Sequence, residues 1–200
     1  MMLEHRFYSA TPARCYRNIR IPFSVNHPSV PSPASQAEKK FKEIMFQKNL
    51  IDQQFVAWLN SLGLDIKLGR VFLNYPNQVY TLHVDQPKVN DQSVALNFAF
   101  NDHGTAFSWY NAKEGTEVIR QNNLNNIIIY NFNPDDCVAV LEEEIIHEHN
   151  QPFLVNTGYI HSLKVGNSER FCYSYFIKKL SDGSDLQWDD AVEYFKDFIY

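Results

Sequence analysis

Two side chains in one short run carry metal-ligand chemistry. Val79-Tyr80-Thr81-Leu82-His83-Val84-Asp85 is β-prone. Alternate side chains of a strand share a face, so His83 and Asp85 project together. An imidazole and a carboxylate on one face are two ligands for a divalent cation. A third candidate, His161, follows in Asn156-Thr157-Gly158-Tyr159-Ile160-His161-Ser162. Two histidines and one carboxylate form a facial set that leaves coordination positions open for substrate, cosubstrate or O2, a pattern suited to Fe(II). Arg170 lies nine residues after His161 and opens the run Arg170-Phe171-Cys172-Tyr173-Ser174-Tyr175-Phe176. Its guanidinium can pair in bidentate fashion with a carboxylate, and Ser174, two alternations along the same face, can add a hydroxyl.

Each residue also has a structural reading. His83 and Asp85 alone would be a surface couple on a strand, and Arg170 a strand ion-pair partner. The order of all the candidates along the chain favours metal binding. Asn97 either hydrogen-bonds in the core or faces the site. Trp109 and Tyr110 read as core and rim packing, and Asn156 as the holder of the turn before His161. A rival set is Glu144, His147 and His149, but Glu142, Glu143 and Glu148 make that stretch strongly acidic. It reads as a solvated strand or turn. His5, His27 and His103 lack ligand-spaced neighbours, and Cys137 and Cys172 read as small buried apolar residues. No G-x-S-x-G elbow, phosphate loop or G-x-G-x-x-G is present.

Positioning these groups requires a β-rich scaffold. Pro22, Pro28, Pro31 and Pro33 suggest an edge strand and an extended connector near the start. Ser35-Gln36-Ala37-Glu38 fits a capping box, predicting a helix with Phe41, Ile44, Met45 and Lys48 on one side. A second helix is predicted over Asp52 to Leu62, stopped by Gly63. The period then changes. Strands are predicted at Val71 to Leu73, Val79 to Val84, Ser93 to Phe100, Ala106 to Tyr110, Asn126 to Tyr130, Val138 to Leu141, Phe153 to Asn156 and Arg170 to Ile177. Asp185 to Ile199 reads as a closing amphipathic helix. The expected organisation is one domain: an N-terminal strand and helices over 1–69, a β-core of about eight strands over 70–177, and a C-terminal helix over 178–200.

Composition sets the outer bounds. The 200 residues are 44% hydrophobic and 14% aromatic, enough for a folded core. The net charge of −5, without a basic run, argues against a dedicated nucleic-acid groove. Three scattered cysteines fit a reducing cytoplasm better than a disulfide framework. No apolar run is long enough to span a bilayer.

The motifs Leu82-His83-Val84-Asp85, Ala95-Leu96-Asn97-Phe98, Phe107-Ser108-Trp109-Tyr110, Leu154-Val155-Asn156-Thr157 and His161-Ser162-Leu163, completed by Asn167 and Arg170, resemble the Fe(II)/2-oxoglutarate-dependent oxygenases. The aspartyl/asparaginyl β-hydroxylase-like group is the most similar. The resemblance covers residues 70 to 177. It implies an α+β protein built on a double-stranded β-helix, a cupin-like jelly roll, with buttressing N-terminal helices and a C-terminal helix. It implies that His83, Asp85 and His161 hold Fe(II) and that Arg170 binds the far carboxylate of 2-oxoglutarate. Ser174 and Asn97 are further candidates for cosubstrate contact. The implied reaction hydroxylates a small molecule or a peptidyl side chain, consumes O2 and releases succinate and CO2. Two departures stand out. Typical aspartyl hydroxylases of that group lack the acidic ligand, which is present here as Asp85. Many superfamily members place Ser two residues after the Arg, where this chain has Cys172. The alternatives from other classes are a cupin-like ligand-binding protein without oxidation and a metal-dependent cupin enzyme of another type.

Overall fold

The structure is a computed structural model. It describes residues 7, 9–29, 42–85, 94–101, 103–122, 128–144 and 150–200. Two six-stranded antiparallel sheets face each other. The first runs in the order β1 (Tyr16–Asn18), β10 (Phe153–Asn156), β5 (Val94–Phe100), β12 (Arg170–Lys179), β3 (Leu64–Asn74), β2 (Lys42–Phe46). The second runs β7 (Val118–Asn122), β8 (Ile128–Phe132), β4 (Leu82–Asp85), β11 (Ile160–Lys164), β6 (Ala106–Ala112), β9 (Cys137–Glu144). This is the jelly-roll, cupin-like architecture expected from the sequence.

The strands of the first sheet bury both faces, each with different chemistry. On β3 and β12 the residues Val71, Leu73, Tyr173, Tyr175 and Ile177 belong to the largest apolar cluster. That cluster also holds Phe55, Val56 and Leu59 of helix α1 (Gln53–Ser61) and Trp188 and Ala191 of helix α2 (Trp188–Tyr194). The helices therefore cover the outer face. The alternate residues Arg70, Asn74, Arg170, Cys172 and Ser174 point into the space between the sheets, where a cavity opens. Strand alternation alone separates the two sets.

Helix α1 forms where its stripe and caps predict. Asp52 accepts a hydrogen bond from the Gln54 amide at 2.8 Å. Gly63, at φ +78°, ends the helix in a conformation that favours glycine. The helix expected to include Ile44 and Met45 is a correction: Lys42–Phe46 is strand β2, paired antiparallel with β3. Ile44 and Phe46 pack on the apolar cluster while Met45 is exposed. Cross-strand pairing thus prevails over an apolar spacing that also suits a helix. The capping-box residues Ser35 to Glu38 lie outside the described residues. The closing helix is shorter than expected, because Asp185 bridges Lys178 and the helix begins only at Trp188. The edge strand expected around Ile21-Pro22-Phe23 is a correction: those residues are not in a strand, and the early strand is Tyr16–Asn18, before Pro22. The strands β7 and β11 are further additions to those expected. Among the described residues, no helix is long and apolar enough to cross a membrane.

Leu59 is fully buried between α1 and the outer face of the first sheet. Leu59→Ala is expected to cost about 2–5 kcal/mol in chemical denaturation. Metal stoichiometry under native conditions should be unchanged, because this face is not the ligand face.

Candidate metal centre

His83 and Asp85 are alternate residues of β4, and β4 pairs with β11 through His83 and His161. Residues opposite each other on neighbouring antiparallel strands point to the same face. The three predicted ligands therefore converge between the sheets. Their donor atoms all lie within 4.8 Å of one another. His83 Nε2 is 3.5 Å from Asp85 Oδ1, and the two imidazole centroids are 4.4 Å apart.

The backbone sets the tautomer of both rings. His83 Nδ1 donates to the Thr81 carbonyl at 2.7 Å, and His161 Nδ1 donates to the Tyr159 carbonyl at 2.9 Å. A carbonyl only accepts, so Nδ1 carries the proton and each neutral ring keeps a lone pair at Nε2. In metal-binding histidines a carbonyl bonded to one ring nitrogen likewise leaves the other free to coordinate. His161 is buried. Burial, and then the neighbouring His83, lower its pKa from 6.5 to about 4, so it is neutral and ready to coordinate near pH 7. Burial raises the Asp85 carboxyl, but its electrostatic interactions with His83, His161 and Arg70 outweigh burial and hold the carboxyl below its ordinary range. Two imidazoles that turn Nε2 to the site and an ionised carboxylate are a donor set that fits a divalent transition metal.

The turn that delivers His161 is held from within. Asn156 Oδ1 accepts from the Gly158 amide at 3.1 Å, and Asn156 Nδ2 donates to the Arg14 carbonyl at 3.1 Å. This is the turn-holding role expected of Asn156. The Asp85 amide donates to the Thr157 carbonyl at 3.2 Å, which ties the third ligand to the same turn.

Arg170, Ser174 and Asn97 line the same cavity as the three ligands, and its volume is about 210 Å³. Arg170 is buried, and its Nη1 donates to Asn74 Oδ1 at 3.0 Å. Asn74 in turn donates to the Tyr80 hydroxyl at 2.6 Å. Burial raises the Tyr80 phenol to about 12, so it keeps its proton. Ser174 and Asn97 sit directly opposite each other on β12 and β5. Asn97 lines the cavity. Cys172 also lines the cavity. Trp109 is buried beside Phe107, and its Nε1 donates to the Asn156 carbonyl at 3.2 Å, as core packing. His147 and His149 of the rival set lie outside the described residues.

The sequence reading missed Arg70, Glu43, Asn74 and Tyr80 as cavity residues. Leu68-Gly69-Arg70-Val71-Phe72-Leu73-Asn74 alternates, so a strand begun before Val71 would have placed Arg70 and Asn74 beside Arg170. Glu43 was concealed by the expected helix.

No family model matches the chain, and no curated protein matches it. Among solved structures it is similar to a prolyl-4-hydroxylase from Pseudomonas putida, at 14% identity and TM-score 0.41, over 78% of this chain and 77% of that one. It is similar to a 2OG-Fe(II) oxygenase family protein from Burkholderia pseudomallei, at 13% identity and TM-score 0.37, over 74% and 70%. It is also similar to pumpkin pro-11S globulin, at 9% identity and TM-score 0.33, over 78% of this chain and 30% of that one. At these identities and scores, function must be read from the site itself.

Two histidines with lowered pKa values, buried His161 and half-buried His27, make the metal-free protein sensitive to acid. Burial holds both His161 and His27 at about 4 rather than 6.5. Between those values the unfolded chain takes up protons that the folded state refuses, so stability falls as pH falls. Thermal unfolding of the metal-free protein should show Tm dropping from pH 6.5 towards pH 4, and divalent-metal affinity should weaken over the same window.

Proposed function

We propose that the protein is an Fe(II)- and 2-oxoglutarate-dependent dioxygenase that hydroxylates a small-molecule or peptidyl substrate. One observation carries this reading: a two-histidine, one-carboxylate cluster and a buried arginine line the same cavity. The motif order in the sequence points the same way, with the aspartyl/asparaginyl β-hydroxylase-like group as the subgroup it resembles.

His83, Asp85 and His161 would hold the iron. When bound, the metal supplies O2 activation coupled to decarboxylation of 2-oxoglutarate to succinate and CO2. The chain's own residues bind and orient. Arg170 receives the far carboxylate of 2-oxoglutarate, and Asn74 fixes the guanidinium against rotation. A guanidinium and a carboxylate match as a planar fork. Tyr80 keeps an O–H that can donate to the same carboxylate. Phe107, whose ring centroid lies 5.7 Å from the Arg170 guanidinium carbon, and Leu163 make that end of the cavity apolar and exclude water. Ser174 and Cys172 share the inner face of β12 with Arg170. Asp85 and the Nδ1-protonated histidines need no proton rearrangement to accept a divalent ion.

Anaerobic titration with Fe(II) and 2-oxoglutarate should produce a visible charge-transfer band. His161→Ala should abolish it, whereas a change at the exposed His103 should leave it intact. Arg170→Met should weaken 2-oxoglutarate binding by about 10- to 100-fold, the range for losing a hydrogen-bonded charge contact of ~1.5–3 kcal/mol. If the wild-type protein gives neither the band nor succinate with any substrate, the oxygenase reading falls.

A further inference from the structure

A second arginine stands in the cavity with its own supporting structure. Arg70 is only 9% exposed. Its guanidinium carbon lies 4.5 Å from the ring centroids of both Phe72 and Phe176, and Nη1 donates to Glu43 Oε1 at 2.8 Å. Two aromatic rings and one carboxylate fix the plane of the fork. Its Nε is buried and, among the described residues, has no hydrogen-bond partner. Across β12, the buried Asn97 presents an Oδ1 in the same condition. Both stand in register with Ser174, which pairs with Arg70 on one side and Asn97 on the other. A buried polar atom without a partner is costly, and within a cavity a ligand is the natural partner.

This pair is set apart from the Arg170 end. Arg170 pairs with Asn74, four residues along β3 from Arg70. That is about 13 Å at ~3.3 Å per residue. A short dicarboxylate spanning the metal and Arg170 leaves Arg70 to a second molecule. Arg70 lines the same cavity as His83, Asp85 and His161. The cavity of about 210 Å³ lies below the ~300–1,000 Å³ usual for ligand pockets, so the second molecule is small.

We propose that Arg70 and Asn97 form the substrate subsite, and that the substrate is a free α-amino acid whose carboxylate binds Arg70 and whose ammonium donates to Asn97. Glu43 holds Arg70 in place, and the ligand's two charges match the one orphaned donor and one orphaned acceptor. The assignment of a substrate rests on the oxygenase reading, but the binding itself does not.

Isothermal titration tests it with the free L-amino acids and their α-carboxamide and N-acetyl derivatives. The titrations are run against protein loaded with Mn(II) and 2-oxoglutarate and, in parallel, against metal-free protein. At least one free amino acid should bind, and its carboxamide should bind at least about tenfold more weakly. Arg70→Met and Asn97→Ala should each lose about tenfold or more, the Fe(II)/2-oxoglutarate band should persist in Arg70→Met, and Arg70→Lys should recover part of the affinity. The proposal is overturned if no free amino acid binds either form, if carboxamides bind as tightly as free acids, or if both Arg70→Met and Asn97→Ala bind like wild type. Arg70-dependent binding without a charge-transfer band would leave the subsite standing and remove the oxygenase reading.

Discussion

The structure depends on keeping two guanidinium groups out of water inside a β-sandwich. Burying a charge is expensive unless hydrogen bonds and nearby dipoles replace its hydration. Arg70 is offset by Glu43 and two ring faces, and Arg170 has the Asn74 amide and the Phe107 ring. Neither would be tolerable if the first sheet also had to build its core on that face. The helices α1 and α2 remove that demand by covering the outer face with apolar side chains. The inner face is thereby free to carry polar groups.

The ligand cluster obeys a comparable constraint of register. His83 meets His161 through one cross-strand pair, and His161 also faces Trp109 on β6. A one-residue slip would turn every side chain of β11 to the opposite face and scatter the donors. The large buried ring of Trp109, stacked on Phe107 and Tyr16, resists such a slip.

What could be read from the sequence was what depends on near neighbours. The alternation that unites His83 with Asp85, or Arg170 with Ser174, is a property of three or five consecutive positions. Helix α1 carries its own cap and stop at Asp52 and Gly63. Arg70 and Glu43 depend instead on contacts distant in sequence. Their meeting requires β2 to lie against β3, and Phe41, Ile44, Met45 and Lys48 fit a helical stripe until that pairing is known. Candidate ligand His161 was visible as a residue, but its strand was not, because β11 gains its identity from pairing with β4 and β6.

The link from β10 to β11 is three residues long: Thr157, Gly158 and Tyr159. It passes from one sheet to the other and supplies both the carbonyl that fixes the His161 ring and the one that receives the Asp85 amide. The joint between the sheets and the frame of the metal site are therefore the same stretch of backbone. The sandwich is stapled at that point. A change in sheet spacing there would move the His161 ring and the Asp85 backbone together, so the spacing of the three donor groups is a mechanical property of this crossover as much as a chemical one of the side chains.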